Sequence, residues 1–226
     1  MPSRARRRAG VRRWVTLSSD LGSAYAAQMK AVLAHDLPPG TVIDLAHDLR
    51  PHALGEAAFV VRAMAARFPA GTVHIVVVDP GVGGRRAPIV VACRDGSVLV
   101  GPDNGVLGPL CDALGGGSAF RIDPTRLDAA PRVGTTFDGR DVFAPAAAQI
   151  ATGTDPGALG PPIELRRLPE AGPKRTATGA SGSVLHIDRF GNLVTDVPTS
   201  WVPRGTSSVG VRLGRVRRRV AFVTSY

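Results

Sequence analysis

No apolar run in this chain of 226 residues approaches the roughly 18 that a membrane-spanning helix needs, which speaks against a protein built on such helices. Cysteine is scarce. Cys93 and Cys111 stand alone, in no CxxC or ligand-like spacing, and this argues against a disulfide framework and a structural zinc site. The same scarcity is consistent with a cytoplasmic location. Aromatic residues make up 5% of the chain and do not interleave with a basic stripe, as a nucleic-acid-binding face would require. Acidic residues are missing from both ends: none precedes Asp20 and none follows Asp196. The formal net charge of +10 is therefore a property of the ends. Arg4, Arg6, Arg7, Arg8, Arg12 and Arg13 crowd the start, and Arg212, Arg215, Arg217, Arg218 and Arg219 crowd the finish. Without these, the body is close to neutral, so nucleic-acid binding by the folded part is not expected. The opening MPSRARRRAGVRRW also lacks the apolar centre of a secretory signal and reads as a disordered arm or as the product of a generous start site.

What is present is enough apolar material, 44%, to bury a sizeable core as one large domain or two small ones. Through about residue 152 the pattern alternates strand and helix. WVTL leads into SSDLG, YAAQMKAVLAHD has helical apolar spacing, and VIDLA reads as a short buried strand. LGEAAFVVRAMAARF carries a helical stripe at Ala58, Val61, Ala65 and Phe68, with Glu56 in its first turn. TVHIVVVD is rich in β-branched residues, as a fully buried strand would be. PIVVACRDGSVLVG reads as a hairpin turned at Asp95-Gly96, and GRDVFAPAAAQIATG as a helix closing on Gly153. A Gly/Pro-rich stretch follows over 153–181, read as a linker, and beyond it only strands are expected: SVLHID, NLVTDV, SVGVRL and RVAFV. The expected fold is an α/β domain over 14–152 and a small all-β, barrel-like domain over 182–226. No internal repeat is evident.

Several acids follow directly on strands. Asp20 comes after the first, Asp79 after TVHIVVV, and Asp188 after VLHI. Open α/β sheets bind ligands beyond the carboxyl ends of their strands, so acids there are better candidates than acids on helix faces. In VDPGVGGRR, Asp79 is followed by a glycine-rich loop and a guanidinium, Arg86. Glycines let such a loop turn tightly and approach a ligand closely.

Taken in order, SDLG, VDPGVGGRR, GPDNG, FDGRD and DRFGN resemble the S-adenosylmethionine hydroxide adenosyltransferases, relatives of the S-adenosylmethionine-dependent fluorinases and chlorinases. The resemblance runs from about Trp14 to about Tyr226. It implies an α/β domain followed by a β-barrel, assembled as a homotrimer with the substrate between subunits. It also implies hydrolysis of S-adenosyl-L-methionine to adenosine and L-methionine, with no metal and no redox cofactor. A non-catalytic relative that binds the substrate or adenosine, and a halogenase, are the alternatives.

Within that resemblance Asp79 and Arg86 match two members of a catalytic Asp, Arg and His triad. The third falls on Asp138, an acid where the family pattern has histidine. Asp138 could instead pair with Arg140 in its own loop. Asp20 resembles the acid that bonds the ribose hydroxyls, although it could equally cap the following helix. His52 resembles a residue at the pocket lip, and Gly139 one that leaves space beside the nucleophile. Asp188 resembles the acid that receives the methionine ammonium, Phe190 the ring on adenine, and Asn192 the amide reading an adenine edge. Read without the resemblance, RFGN is a hairpin turn with a core Phe. Asn104, His47 and His74 are read as structural. The loop SDLGSAYAAQMK is about two residues shorter than the family pattern, and the family's barrel continues past the point matching FVTSY, so the barrel here is expected to be incomplete.

Overall fold

A computed structural model of the chain describes residues 13–129, 134–169 and 172–223. They fall into two compact units, divided between Pro169 and Glu170. The basic arm over 1–12 lies outside the described residues.

The first unit runs β1 (Val15–Ser19), α1 (Gly22–Ala34), β2 (Val42–Ala46), α2 (Leu54–Ala65), β3 (Val73–Val77), β4 (Pro88–Cys93), β5 (Val98–Pro102), α3 (Gly108–Ala113), β6 (Gly117–Arg121), α4 (Ala144–Ala151) and β7 (Pro162–Ile163). These strands form one seven-stranded sheet in the order β2-β1-β3-β5-β4-β6-β7. β1 pairs in parallel with both β2 and β3, and β3 in parallel with β5. The other pairings, starting from the β4–β5 hairpin, are antiparallel.

Alternation along β3 explains the layering. Val73, Ile75 and Val77 face one side and join Ala26, Met29 and Leu33 of α1 and Ala147 and Ile150 of α4. Val76 and the following Val78 face the other and join Ala58 and Val61 of α2 and Leu110 of α3. Every residue of β3 is buried, as a central strand covered on both faces must be. Burying an aliphatic side chain of this size stabilises by roughly 1.5–3 kcal/mol, so β3 anchors the unit. β2 differs from the buried strand expected of VIDLA: it is the sheet's edge and only half-buried.

The helix expected over GRDVFAPAAAQIATG begins as a π turn, Gly139–Phe143, before α4. Pro145 has no N–H for the carbonyl of Asp141, so an α register cannot run unbroken through this segment. The Ala144 N–H reaches back to the Gly139 carbonyl instead. Gly153, expected at the helix end, follows the cap residue Thr152 in the left-handed region at φ +108°. Of the stretch read as a linker, Leu159 is buried in the core and β7 extends the sheet beside β6.

The second unit consists of antiparallel pairs: β8 (Lys174–Thr176) with β9 (Gly179–Ser181), β10 (Val184–Ile187) with β11 (Leu193–Thr195), and β12 (Ser208–Leu213) with β13 (Val216–Ala221). Its described residues thus form three two-stranded sheets. Among the described residues no helix is long and apolar enough to cross a membrane.

Candidate active site

Three neighbouring parallel strands deliver the site. Ser19 at the end of β1 pairs opposite Val77 at the end of β3, so the chain leaves both strands at one edge of the sheet. Asp20 follows the first and Asp79 the second, and the Asp20 N–H donates to the Val77 carbonyl at 3.3 Å. The loop from β2 to α2 brings His52 to the same place: its backbone N–H donates to Asp20 Oδ2 at 3.1 Å. His52 sits at φ +64°, the left-handed region, which costs a residue with a side chain about 1–2 kcal/mol. The alternative role of Asp20, capping α1, is not what is observed: Leu21 occupies the cap position and makes no side-chain cap hydrogen bond.

The glycine-rich loop folds Arg86 back onto Asp79. Arg86 Nε donates to Asp79 Oδ1 at 3.0 Å, and its Nη2 donates to Asp79 Oδ2. The Gly81 N–H also donates to Oδ1, at 3.2 Å, closing the turn over the carboxylate. Gly83 sits at φ +74°, the left-handed region that favours glycine, and a Cβ on Gly81 would lie 3.1 Å from Arg86 Cγ, so a side chain there would press on the arginine. Asn104, read as structural, braces the strand end: its Nδ2 donates to the Val78 carbonyl at 2.8 Å.

Asp138 arrives from a distant part of the chain, just ahead of the π turn, and Arg86 Nη2 donates to its Oδ2 at 2.6 Å. The alternative partner, Arg140, is engaged elsewhere, bonding the Asp141 carboxylate at 2.6 and 3.0 Å. One guanidinium therefore holds two carboxylates, and the side chains of Arg86, Asp79 and Asp138 are only 8%, 6% and 3% exposed. Burial alone would pull the Arg86 pKa down. The hydrogen bonds to Asp79 and Asp138 outweigh it and hold the pKa above the ordinary arginine value. Arg86 also lies 5.6 Å over the ring of Phe143.

A cleft of about 290 Å³ opens over this edge. Asp20, His52, Asp79, Asp138 and Gly139 line it, together with the apolar Leu21, Tyr25, Val82 and Phe137. Arg86 lines a second cavity of about 450 Å³, to which Asp138 is common. The guanidinium thus stands behind the carboxylates rather than in the cleft. Gly139 lines the cleft, and a Cβ on it would approach Met29 Sδ to 3.0 Å.

Sequence reasoning missed the apolar wall. Tyr25 and Phe137 stack with ring centroids 5.9 Å apart, and Arg140 covers Phe137 at 4.7 Å. Phe137 stands directly before Asp138, but nothing in its spacing distinguishes a cleft ring from a core ring.

Asp188, Phe190 and Asn192 belong to the second unit, in the turn between β10 and β11. The Asp188 carboxylate accepts from the N–H groups of Phe190 and Asn192, both at 2.9 Å, and from Asn192 Nδ2 at 2.8 Å. The side-chain amide, then the backbone groups, hold its pKa below the ordinary carboxylate value. RFGN is a hairpin turn as read, but Phe190 is no core residue: it is 82% exposed.

The family model for the N-terminal domain of SAM hydroxide adenosyltransferase matches residues 15–160, and that for the C-terminal domain matches residues 182–226. The chain belongs to the SAM hydroxide adenosyltransferase family. It is 42% identical over 213 residues to an (R)-S-adenosyl-L-methionine hydrolase of Thermus thermophilus, covering 88% of this chain and 80% of that one. Against the (R)-S-adenosyl-L-methionine hydrolase of Salinispora tropica it is 40% identical, covering 80% of this chain and 70% of the other. A fluorinase of Actinoplanes is more distant, at 25% identity over 81% of this chain and 71% of its own. The crystal structure of an uncharacterized conserved protein from Thermotoga maritima superposes with a TM-score of 0.86 at 30% identity, covering 93% of this chain and 83% of that one.

Proposed function

We propose that this chain hydrolyses S-adenosyl-L-methionine at the ribose 5′ carbon, releasing adenosine and L-methionine. The observation that carries the reading is the pair of carboxylates, Asp79 and Asp138, pinned by Arg86 at a cleft that Asp20 also lines. Water oxygen forms a bond to the 5′ carbon as the carbon–sulfur bond breaks, and the sulfur keeps that electron pair and leaves as a neutral thioether. One water proton stays on the new 5′ hydroxyl, and the other passes to a carboxylate and on to solvent. Because the leaving group is already good, it needs no acid. The protein has instead to orient the water and hold the three reacting atoms in line. Acceptor-only carboxylates suit that task. A halide would meet a like charge there, costing about 4 kcal/mol at ~4 Å and an effective dielectric near 20.

In this reading Asp20 accepts from the ribose hydroxyls, His52 forms the lip, and Asp188, Phe190 and Asn192 serve the methionine and adenine ends. No metal or redox cofactor takes part in these steps. The proposed assembly is a cytoplasmic homotrimer with substrate between subunits, and light scattering on the purified chain tests the trimer. The activity is tested by incubation with S-adenosyl-L-methionine in ¹⁸O-water containing chloride and fluoride. Adenosine labelled at its 5′ oxygen is expected, and a halide-dependent 5′-halo product would overturn the reading.

A further inference from the structure

Asp20 is held in place by the loop that follows β2, through more than its contact with His52. His47, in that loop, makes bonds on both ring nitrogens: Nδ1 lies 2.9 Å from Ser19 Oγ, and Nε2 lies 3.0 Å from Asp44 Oδ1. Lys30 of α1 donates to the other oxygen of Asp44 at 2.8 Å. Burial pulls the Asp44 carboxyl up, but hydrogen bonds from His47 and Lys30 outweigh it and hold the pKa below its ordinary value. An ionised carboxylate can only accept, so Nε2 carries a ring proton, and in the tautomer with that one proton Nδ1 accepts. The Ser19 hydroxyl then donates to Nδ1, which leaves its oxygen to take the Leu21 N–H, at 3.5 Å. The bonds therefore run in one direction, from Leu21 N–H through Ser19 and His47 to Asp44. The His47 carbonyl adds a further tie, accepting the Gly22 N–H at 2.9 Å. Asp20 thus lies between two residues, Ser19 and Leu21, that are tied to this chain of bonds.

We infer that His47 is a positioning residue for Asp20, acting through the acceptor at Nδ1 and the buried Ser19 hydroxyl rather than through its surface pair with Asp44. This rests on the reading of Asp20 as the ribose-binding acid for its effect on affinity, but not for the geometry. The side chain of His47 is 14% exposed and that of Asp44 is 43% exposed, so the Asp44 link is the weaker anchor. Ser19 is fully buried, and an unmet hydroxyl there would be costly.

The test separates the two ring nitrogens. Asn at position 47 can place an amide oxygen near the site of Nδ1, whereas Gln can place an amide N–H near Nε2. Amide hydrogen exchange at Leu21, Gly22 and His52 is measured on the full chain, together with calorimetric titration by adenosine. His47→Ala and His47→Gln are expected to speed exchange at these amides and to weaken adenosine about 10-fold, the factor expected for one lost hydrogen bond. His47→Asn should stay within about 3-fold of the parent. On an Asp20→Ala background, His47→Ala should change adenosine affinity by less than about 2-fold, because its effect passes through Asp20. Unchanged exchange in His47→Ala, or Gln preserving both readouts where Asn does not, overturns the inference. The full affinity loss persisting on the Asp20→Ala background also overturns it. If Asp20→Ala alone leaves adenosine binding intact, the ribose reading fails, and the exchange pattern still decides the positioning role.

Discussion

Replacing Arg86 by Leu removes one positive charge that two carboxylates share. Three hydrogen bonds disappear, two to Asp79 and one to Asp138. The acids left behind have side chains 6% and 3% exposed, so water cannot take over the role of the guanidinium. Breaking a buried ion pair by removing one partner costs about 3–5 kcal/mol, whereas exposed pairs are worth about 0–1 kcal/mol. The burial of all three groups places Arg86 in the first regime. For a domain of this size the loss corresponds to roughly 6–20 °C in Tm, at about 2–4 °C per kcal/mol. Asp138→Asn should return part of it, with a coupling of about 1–2 kcal/mol, because it removes one of the two charges that Arg86 bonds. Urea unfolding at pH 7 in a Trp201→Phe background measures this, since Trp14 then reports on the first unit alone. Lys30→Met serves as the exposed-pair control, its partners being 40% and 43% exposed, and should cost no more than about 1 kcal/mol. A loss below about 1 kcal/mol for Arg86→Leu, or none of it returned by Asp138→Asn, would refute the reasoning.

Other expectations concern single groups. Asp138→His exchanges one of the two water-orienting carboxylates for an imidazole, a stronger proton acceptor near neutral pH, and S-adenosyl-L-methionine turnover there should rise about 10-fold or more; a fall would assign the proton transfer to the Asp138 carboxylate itself. Asp20→Ala should weaken substrate binding by about 1.5–3 kcal/mol, read by calorimetry, and unchanged affinity would remove Asp20 from the binding site. His74 is 1% exposed with Nδ1 2.8 Å from Thr16 Oγ1, and burial pushes its pKa down to about 4 from 6.5, against a smaller upward pull from Asp95. The unfolded chain then binds a proton that the folded chain refuses, so stability is complete above about pH 6.5 and falls as pH drops towards 4, by roughly 3 kcal/mol in all. Unfolding of the parent and His74→Gln across that range checks the sign: the variant should lose less stability than the parent.

The strand and helix pattern of the first unit was legible because burial on both faces of a sheet leaves a local trace. The buried run of β3 and the helical stripe of α2 are written in consecutive residues. The acids at strand ends were legible for the same reason: Asp20 and Asp79 follow apolar runs, and parallel pairing brings such ends to one edge. The short β7 was hidden, because two residues carry no periodicity and only pairing with β6 makes them a strand. The exposure of Phe190 was equally hidden, since a ring in a turn has no local sign of whether anything covers it. Tertiary structure alone decided the partners. Arg86 and Asp138 are 52 residues apart in sequence, and only the packing of the segment before α4 against α1 and the sheet puts them on one nitrogen. The same holds for His47, whose bond to Ser19 spans 28 residues and reflects the pairing of β1 with β2. Amino-acid types state which charges a chain owns; which of them share a buried hydrogen bond depends on where folding leaves no water to compete.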